Sequence, residues 1–218
     1  QGIPLVMLHR SVNGISAPLI AMPFEEVMSL AAEVLLGLGH RNIAFLASHP
    51  SEAVTRYLTA LRNELAAVGV AMPKELVRVG APTTSPLGGP SRTREIESAL
   101  VELLSLPDEI RPTAIVDPWD SDMEACYFAL TSLGVKVPEE MSLVSFGGAS
   151  RLTTLTKRLT AVTVDEPKTA ELTALLLDEM RTAERPIADA SFFAVPLSFH
   201  EGETVSVPPA LPPRWKPN

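Results

Sequence analysis

Apolar positions along this chain keep two alternating rhythms. Ile3 to Leu8 (IPLVML) is a compact apolar run, which predicts a buried strand. Phe24, Val27, Met28, Ala31, Val34, Leu35 and Leu38 then recur at helical spacing, and Gly39 ends the stripe. Asn42 to Ala47 (NIAFLA) predicts a second strand. Ser51 is placed to cap the next helix, striped by Val54, Tyr57, Leu58, Leu61, Leu65 and Val68 and ended by Gly69. The alternation goes on with a short strand over 76–80, a Pro/Gly/Ser/Thr loop over 81–91, and a helix carrying Ile96, Ala99, Leu100 and Leu103. Thr113 to Asp117 predicts a strand, and Ser121-x-x-Glu124 a capping box that opens a helix ending at Gly134. Strands follow over 141–146 and 160–164. Pro167 suits the first turn of a helix with Leu172, Leu175, Leu176 and Met180, and Ala190 to Phe199 reads as extended.

Strand and helix in steady alternation imply an α/β fold, a parallel sheet with helices on both faces. Residues 208–218 hold five prolines and are expected to form an extended tail.

Composition narrows the function classes. A hydrophobic fraction of 46% with 20% charged residues excludes a disordered chain. The longest stretch without Asp, Glu, Lys or Arg is the fourteen residues from Ser11 to Phe24, too short and too rich in Ser, Pro and Gly to span a bilayer. No signal-peptide pattern opens the chain, and with one cysteine, Cys126, neither an internal disulfide nor a cysteine-based zinc site is available. A cytoplasmic location fits that cysteine usage. The net charge of −8 argues that this chain alone does not hold a phosphate backbone.

In a doubly wound sheet, ligands sit beyond the carboxyl ends of the strands. The residues to weigh are therefore His9 and Arg10, His49 to Ser51, Asp117 to Asp122, and Gly147 to Ser150. Asp117, Asp120, Asp122 and Glu124 are the sharpest cluster. They lack the glycine and distant glutamate of a calcium loop, so no metal is expected. No Walker loop, Gly-x-Ser-x-Gly elbow, HExxH or Gly-x-Gly-x-x-Gly motif is present, and neither a cofactor nor an enzyme activity is expected. Cys126 lies in a helical stripe and reads as a core filler. Arg56, on the first turn of its helix, offers a planar donor fork to a polar ligand or else is a solvated helix arginine. Trp119, at a loop mouth, stacks on a ligand ring or plugs the opening itself.

Leu36 to Ser48 (LGLGHRNIAFLAS) and Pro112 to Gly148, with PTAI followed by LGVKVPEEMSLVSF and then LTAV from Leu159, resemble lactose/galactose-repressor-type transcription regulators. The likeness spans about Ile3 to Phe199. It implies the two-lobed, periplasmic-binding-protein-like fold of that family's effector domain. Residues 1–38 and 161–188 would belong to a first, apparently incomplete lobe, and 41–159 and 190–207 to a second. It further implies a homodimer, a small-molecule effector (sugar-like or more apolar), and operator DNA reached only through an N-terminal helix-turn-helix domain not in this chain.

The effector positions this resemblance and the strand ends give are Phe24, Arg56, Trp119, Asp120, Gly147 and Gly148. Several depart from the family pattern. Pro23-Phe24 stands where Asp-Asn is usual, Trp119-Asp120 where Asn-Asp is, and Ser145-Phe146-Gly147-Gly148 where Gly-Phe-Asp-Asp is. Directional partners for sugar hydroxyls are thereby lost. Two rival readings are a solute-binding protein of a transporter and an α/β enzyme using Asp117, Asp120 and Asp122.

Overall fold

The computed structural model describes residues 3–81, 90–147, 156–182 and 191–213. In chain order the elements are β1 (Met7–His9), β2 (Leu19–Ala21), α1 (Phe24–Gly37), β3 (Ile43–Ala47), α2 (Glu52–Ala67), β4 (Val77–Val79), α3 (Pro90–Leu104), β5 (Ala114–Asp117), α4 (Asp120–Ser132), β6 (Ser142–Gly147), β7 (Thr160–Val164), α5 (Glu166–Thr182), β8 (Phe192–Ala194) and β9 (Leu197–His200). The chain divides into two compact units, Gln1–Pro23 with Val164–Ser198, and Phe24–Thr163 with Phe199–Asn218.

The larger unit is built on a sheet of strand order β4-β3-β5-β6-β7-β9, in which β4 through β7 pair in parallel. Its central strands are buried on both faces, so alternate side chains feed two cores. Ala44, Leu46, Ile115, Leu143 and Ala161 pack with Ile96, Leu100, Leu103, Met123, Cys126 and Leu130 of α3 and α4. Phe45, Val116, Val144 and Val162 point the opposite way. On that side lie α1 and α2, whose fully buried Met28, Leu35, Leu61 and Leu65 each contribute about 1.5–3 kcal/mol by leaving water. Cys126 is the core filler its stripe suggested.

Local signals explain several element ends. Ser51, at φ −156° and ψ 167°, accepts a 3.1 Å hydrogen bond from the Val54 amide and caps α2. Gly39 and Gly69 follow their helices at φ +100° and +75°, where a side chain would be strained. Beyond β9 the chain runs along the amino-terminal ends of β6 and β7. Buried Thr204 donates to the Leu143 carbonyl and accepts from the Thr160 amide, while its own carbonyl accepts from the Leu143 amide. Fully buried His40 ties this strap down. Its Nε2 lies 2.9 Å from the Ser206 carbonyl, which only accepts, so Nε2 carries the proton and Nδ1 accepts from the Thr113 hydroxyl at 2.8 Å.

The smaller unit has a three-stranded parallel sheet of order β1-β2-β8, with Ile20, Val195 and Leu176 at the centre of its core. Both edge strands carry exposed apolar side chains, Leu8 on β1 and Phe192 on β8.

Three expectations are corrected. Residues 3–8 are not a buried strand: only Met7–His9 is β, and Ile3 is 93% exposed, because this edge has a neighbour on one side alone. The extended segment ending at Phe199 is two strands in two different sheets, with β8 in the smaller unit. Within the larger unit α1 packs along α2, with Ser29 hydrogen-bonded to Glu64. Finally, Ser121 does not cap α4. The helix begins at Asp120, Trp119 is its N-cap residue with no side-chain cap bond, and the Ser121 hydroxyl accepts from Arg92.

Candidate functional site at the carboxyl ends of β3, β5 and β6

The loops that leave β3, β5 and β6 place most of the expected site residues together, all within the larger unit. Phe24 opens α1 and is buried, and its ring meets Tyr57 of α2 edge-on at 4.7 Å. Arg56 sits at the start of the second turn of α2, one turn later than expected. Its guanidinium lies 4.2 Å over the Phe24 ring, a cation–π contact, and no hydrogen bond to it is found among the described residues. Tyr57 also meets Trp119 edge-on at 6.3 Å and Phe146 at 5.8 Å. Trp119 also stacks against His49, with centroids 6.0 Å apart and planes 9° from parallel.

Asp120 and Gly147 are joined more tightly still. A side chain at Gly147 would begin 2.6 Å from the Asp120 Cβ, so glycine is what lets the end of β6 approach the first turn of α4. Gly148 lies outside the described residues. Phe24 and Trp119 thus meet on Tyr57, Arg56 lies over Phe24, and Asp120 follows Trp119 and abuts Gly147. Sequence reasoning missed Tyr57 and Phe146 as site residues, and weighed His49 without assigning it to the site. Tyr57 shares the apolar stripe of α2, Phe146 lies inside a strand, and only the position of His49 just after β3 offered a signal.

Behind this mouth the acidic cluster is dispersed by its own bonds. Asp117, at the end of β5, is fully buried; one carboxyl oxygen accepts from the Trp119 amide at 2.8 Å and the other has no partner among the described residues. Burial pushes its acidity well toward the neutral form. The Trp119 bond and the Arg92 charge oppose that shift, and Asp120 adds to it. Ser145, its registered neighbour on β6, buries a hydroxyl with no partner among the described residues. Asp122 is also fully buried. It pairs with Arg92 of α3 and accepts from the Ser48 amide at 2.9 Å. Burial likewise raises the Tyr57 phenol far above its usual value, with the neighbouring Arg56 charge acting the other way. Among the described residues no group of three or more His, Cys, Asp or Glu is placed to hold a metal ion, and no helix is long and apolar enough to cross a membrane.

The site offers one cation, an aromatic wall, and a buried polar layer beneath it. Such a set can bind and orient a small organic molecule.

Known proteins share this architecture. A transcription regulator from Lactobacillus plantarum superposes with a TM-score of 0.75 at 16% identity, over 94% of this chain and 73% of that one. A LacI family transcriptional regulator from Mycobacterium smegmatis does so with 0.72 at 23% identity, over 95% and 72%. One from Enterococcus faecium with bound ribose gives 0.71 at 19%, over 94% and 71%. No curated protein matches the chain in sequence. Residues 32–205 match the family profile of the periplasmic binding protein-like domain. The chain therefore belongs to the periplasmic-binding-protein-like domain family.

Proposed function

We propose that this chain is the effector-sensing and dimerisation core of a cytoplasmic bacterial transcription regulator of the lactose/galactose-repressor type. It binds a small organic molecule and controls a helix-turn-helix domain outside these 218 residues. The observation that carries the reading is the cluster of Arg56, Phe24, Tyr57 and Trp119 at the carboxyl ends of the strands, with Asp120 against Gly147. The ribose bound by the Enterococcus faecium neighbour supports a small polyol-sized effector. The loss of hydroxyl-binding carboxylates here favours one with a flat or apolar face and one polar edge. Arg56 holds that edge and Trp119 faces the ring.

Self-association is supported by the open β1 and β8 edges, where Leu8 and Phe192 are exposed. Light scattering should show a dimer at micromolar concentration, and monomer alone would count against it. DNA recognition is assigned to the separate domain because a net charge of −8 gives no counterion-releasing surface.

The direct test is a thermal-shift screen with monosaccharides, aryl glycosides and aromatic carboxylates, followed by titration of the best binder against Arg56→Met. Loss of a hydrogen bond to a charged group should weaken binding roughly ten- to hundredfold. Unchanged affinity in Arg56→Met would overturn the assigned site.

A further inference from the structure

The stacked His49–Trp119 pair hangs on buried groups from three elements. Arg92 of α3 pairs with Asp122 of α4 and donates to the Ser121 hydroxyl at 2.9 Å. The other Asp122 oxygen accepts from the Ser48 amide at 2.9 Å, at the point where the chain leaves β3. The Ser48 hydroxyl is 3.1 Å from Nδ1 of His49. His49 stacks on Trp119, and the Trp119 amide is held at 2.8 Å by Asp117. Both partners of the stack are therefore one or two bonds from a buried carboxylate.

A buried ion pair is a poor source of net stability. Desolvating two charges costs about as much as their attraction returns, and well-packed apolar residues often do as well. Its distinctive property is that it accepts only one geometry. Arg92 is 29% exposed at its side chain while Asp122 is wholly buried, so the carboxylate is the fixed end and the arginine reaches in to neutralise it. Without Arg92, a buried charge would be left uncompensated beside the Ser48 amide.

We infer that Asp122, paired with Arg92, is a positioning residue for the mouth of the site. It fixes the end of β3, and through Ser48 the ring of His49, so that Trp119 presents one face. Its purpose rests on the effector-site reading, but its geometry does not depend on any ligand, so the two can fail separately.

The test compares the whole chain with its Asp122→Asn and Ser48→Ala variants, each also carrying Trp215→Phe so that Trp119 is the sole indole. Amide exchange is followed by mass spectrometry, and Trp119 exposure by acrylamide quenching, well below the melting temperature. The carboxamide introduced by Asp122→Asn still offers an oxygen to the Ser48 amide but no charge to Arg92. Exchange over residues 47–50 should rise about tenfold, as expected for weakening a charge-assisted hydrogen bond, and Trp119 quenching should rise with it. Exchange over 202–206, in the strap at the far end of the same sheet, should not move. Ser48→Ala keeps the amide bond and removes only the hydroxyl on His49. It should raise Trp119 quenching with exchange over 47–50 unchanged, and it keeps the question decidable if Asp122→Asn fails to fold. A rise spread evenly over 47–50 and 202–206 in Asp122→Asn, or Trp119 quenching unaltered in Ser48→Ala, would overturn the inference.

Discussion

Replacing His40 by alanine probes the strap with a magnitude that can be worked from its bonds. The substitution removes the imidazole Nε2–H bond to the Ser206 carbonyl and the acceptor of the Thr113 hydroxyl. The Ser206 carbonyl keeps a 3.2 Å bond from the Ser142 hydroxyl, so it is not orphaned. Thr113, 8% exposed, has no such relief among the described residues. Two lost hydrogen bonds and one unsatisfied buried hydroxyl together cost about 3 kcal/mol. In a chain of this length that lowers the melting temperature by roughly 6–12 °C. The pH dependence adds a second signature. Burial holds the His40 imidazole below its ordinary value, against the opposing Ser206 bond, so the native state binds that proton less readily than the unfolded chain. Wild-type stability should therefore fall as pH drops below about 6.5, toward the folded value. His40→Ala lacks this slope, so the gap between the two proteins should be widest at neutral pH and shrink on acidification. Urea unfolding across that range measures it. A loss under about 0.5 kcal/mol, or a gap that does not change with pH, would refute the reasoning.

Two further outcomes follow, one from a buried carboxyl and one from a close backbone approach. Asp117 is pushed toward its neutral form, so its folded value lies above the unfolded one and wild-type stability should decline as pH rises from about 3.9. Asp117→Asn keeps an acceptor for the Trp119 amide and should gain on wild type steadily as pH rises, in denaturation midpoints; a constant difference would contradict it. Gly202→Ala places a Cβ 2.3 Å from the Leu159 carbonyl carbon and 2.4 Å from the Thr160 amide, both backbone, and should cost about 1–3 kcal/mol. Gly37→Ala, which meets nothing within 4 Å, should be neutral or slightly stabilising in the same melts, and equal effects of the two would argue against the strap's close approach.

Local pattern carried the fold where elements are long or capped, as in α2 with Ser51 and Gly69 or the apolar runs of β3 and β6. It failed where partners are distant in sequence. β2 is three residues inside a Ser- and Pro-rich stretch, and only its pairing with β1 and β8 makes it a strand. Ser121 and Glu124 have capping-box spacing, yet Ser121 answers to Arg92, 29 residues away. At the site, Arg56, Trp119, Asp120 and Gly147 were legible because topology puts ligands beyond strand ends. Tyr57, the ring between Phe24 and Trp119, was hidden because a residue two per cent exposed in a helical stripe looks like any other core position. The buried links from Asp122 to Ser48 and from Asp117 to Trp119 were hidden because in sequence these carboxylates read as one candidate cluster, with nothing to show their separate backbone partners.

The most direct test of the effector reading is a crystal structure of the chain with the best binder from the thermal-shift screen. The account predicts that the ligand's flat face lies on the Trp119 ring and that its polar edge comes within about 3.5 Å of the Arg56 guanidinium. A ligand seated instead in the 280 Å³ groove between Arg78 of β4 and Glu102 of α3, with Arg56 and Trp119 untouched, would contradict it.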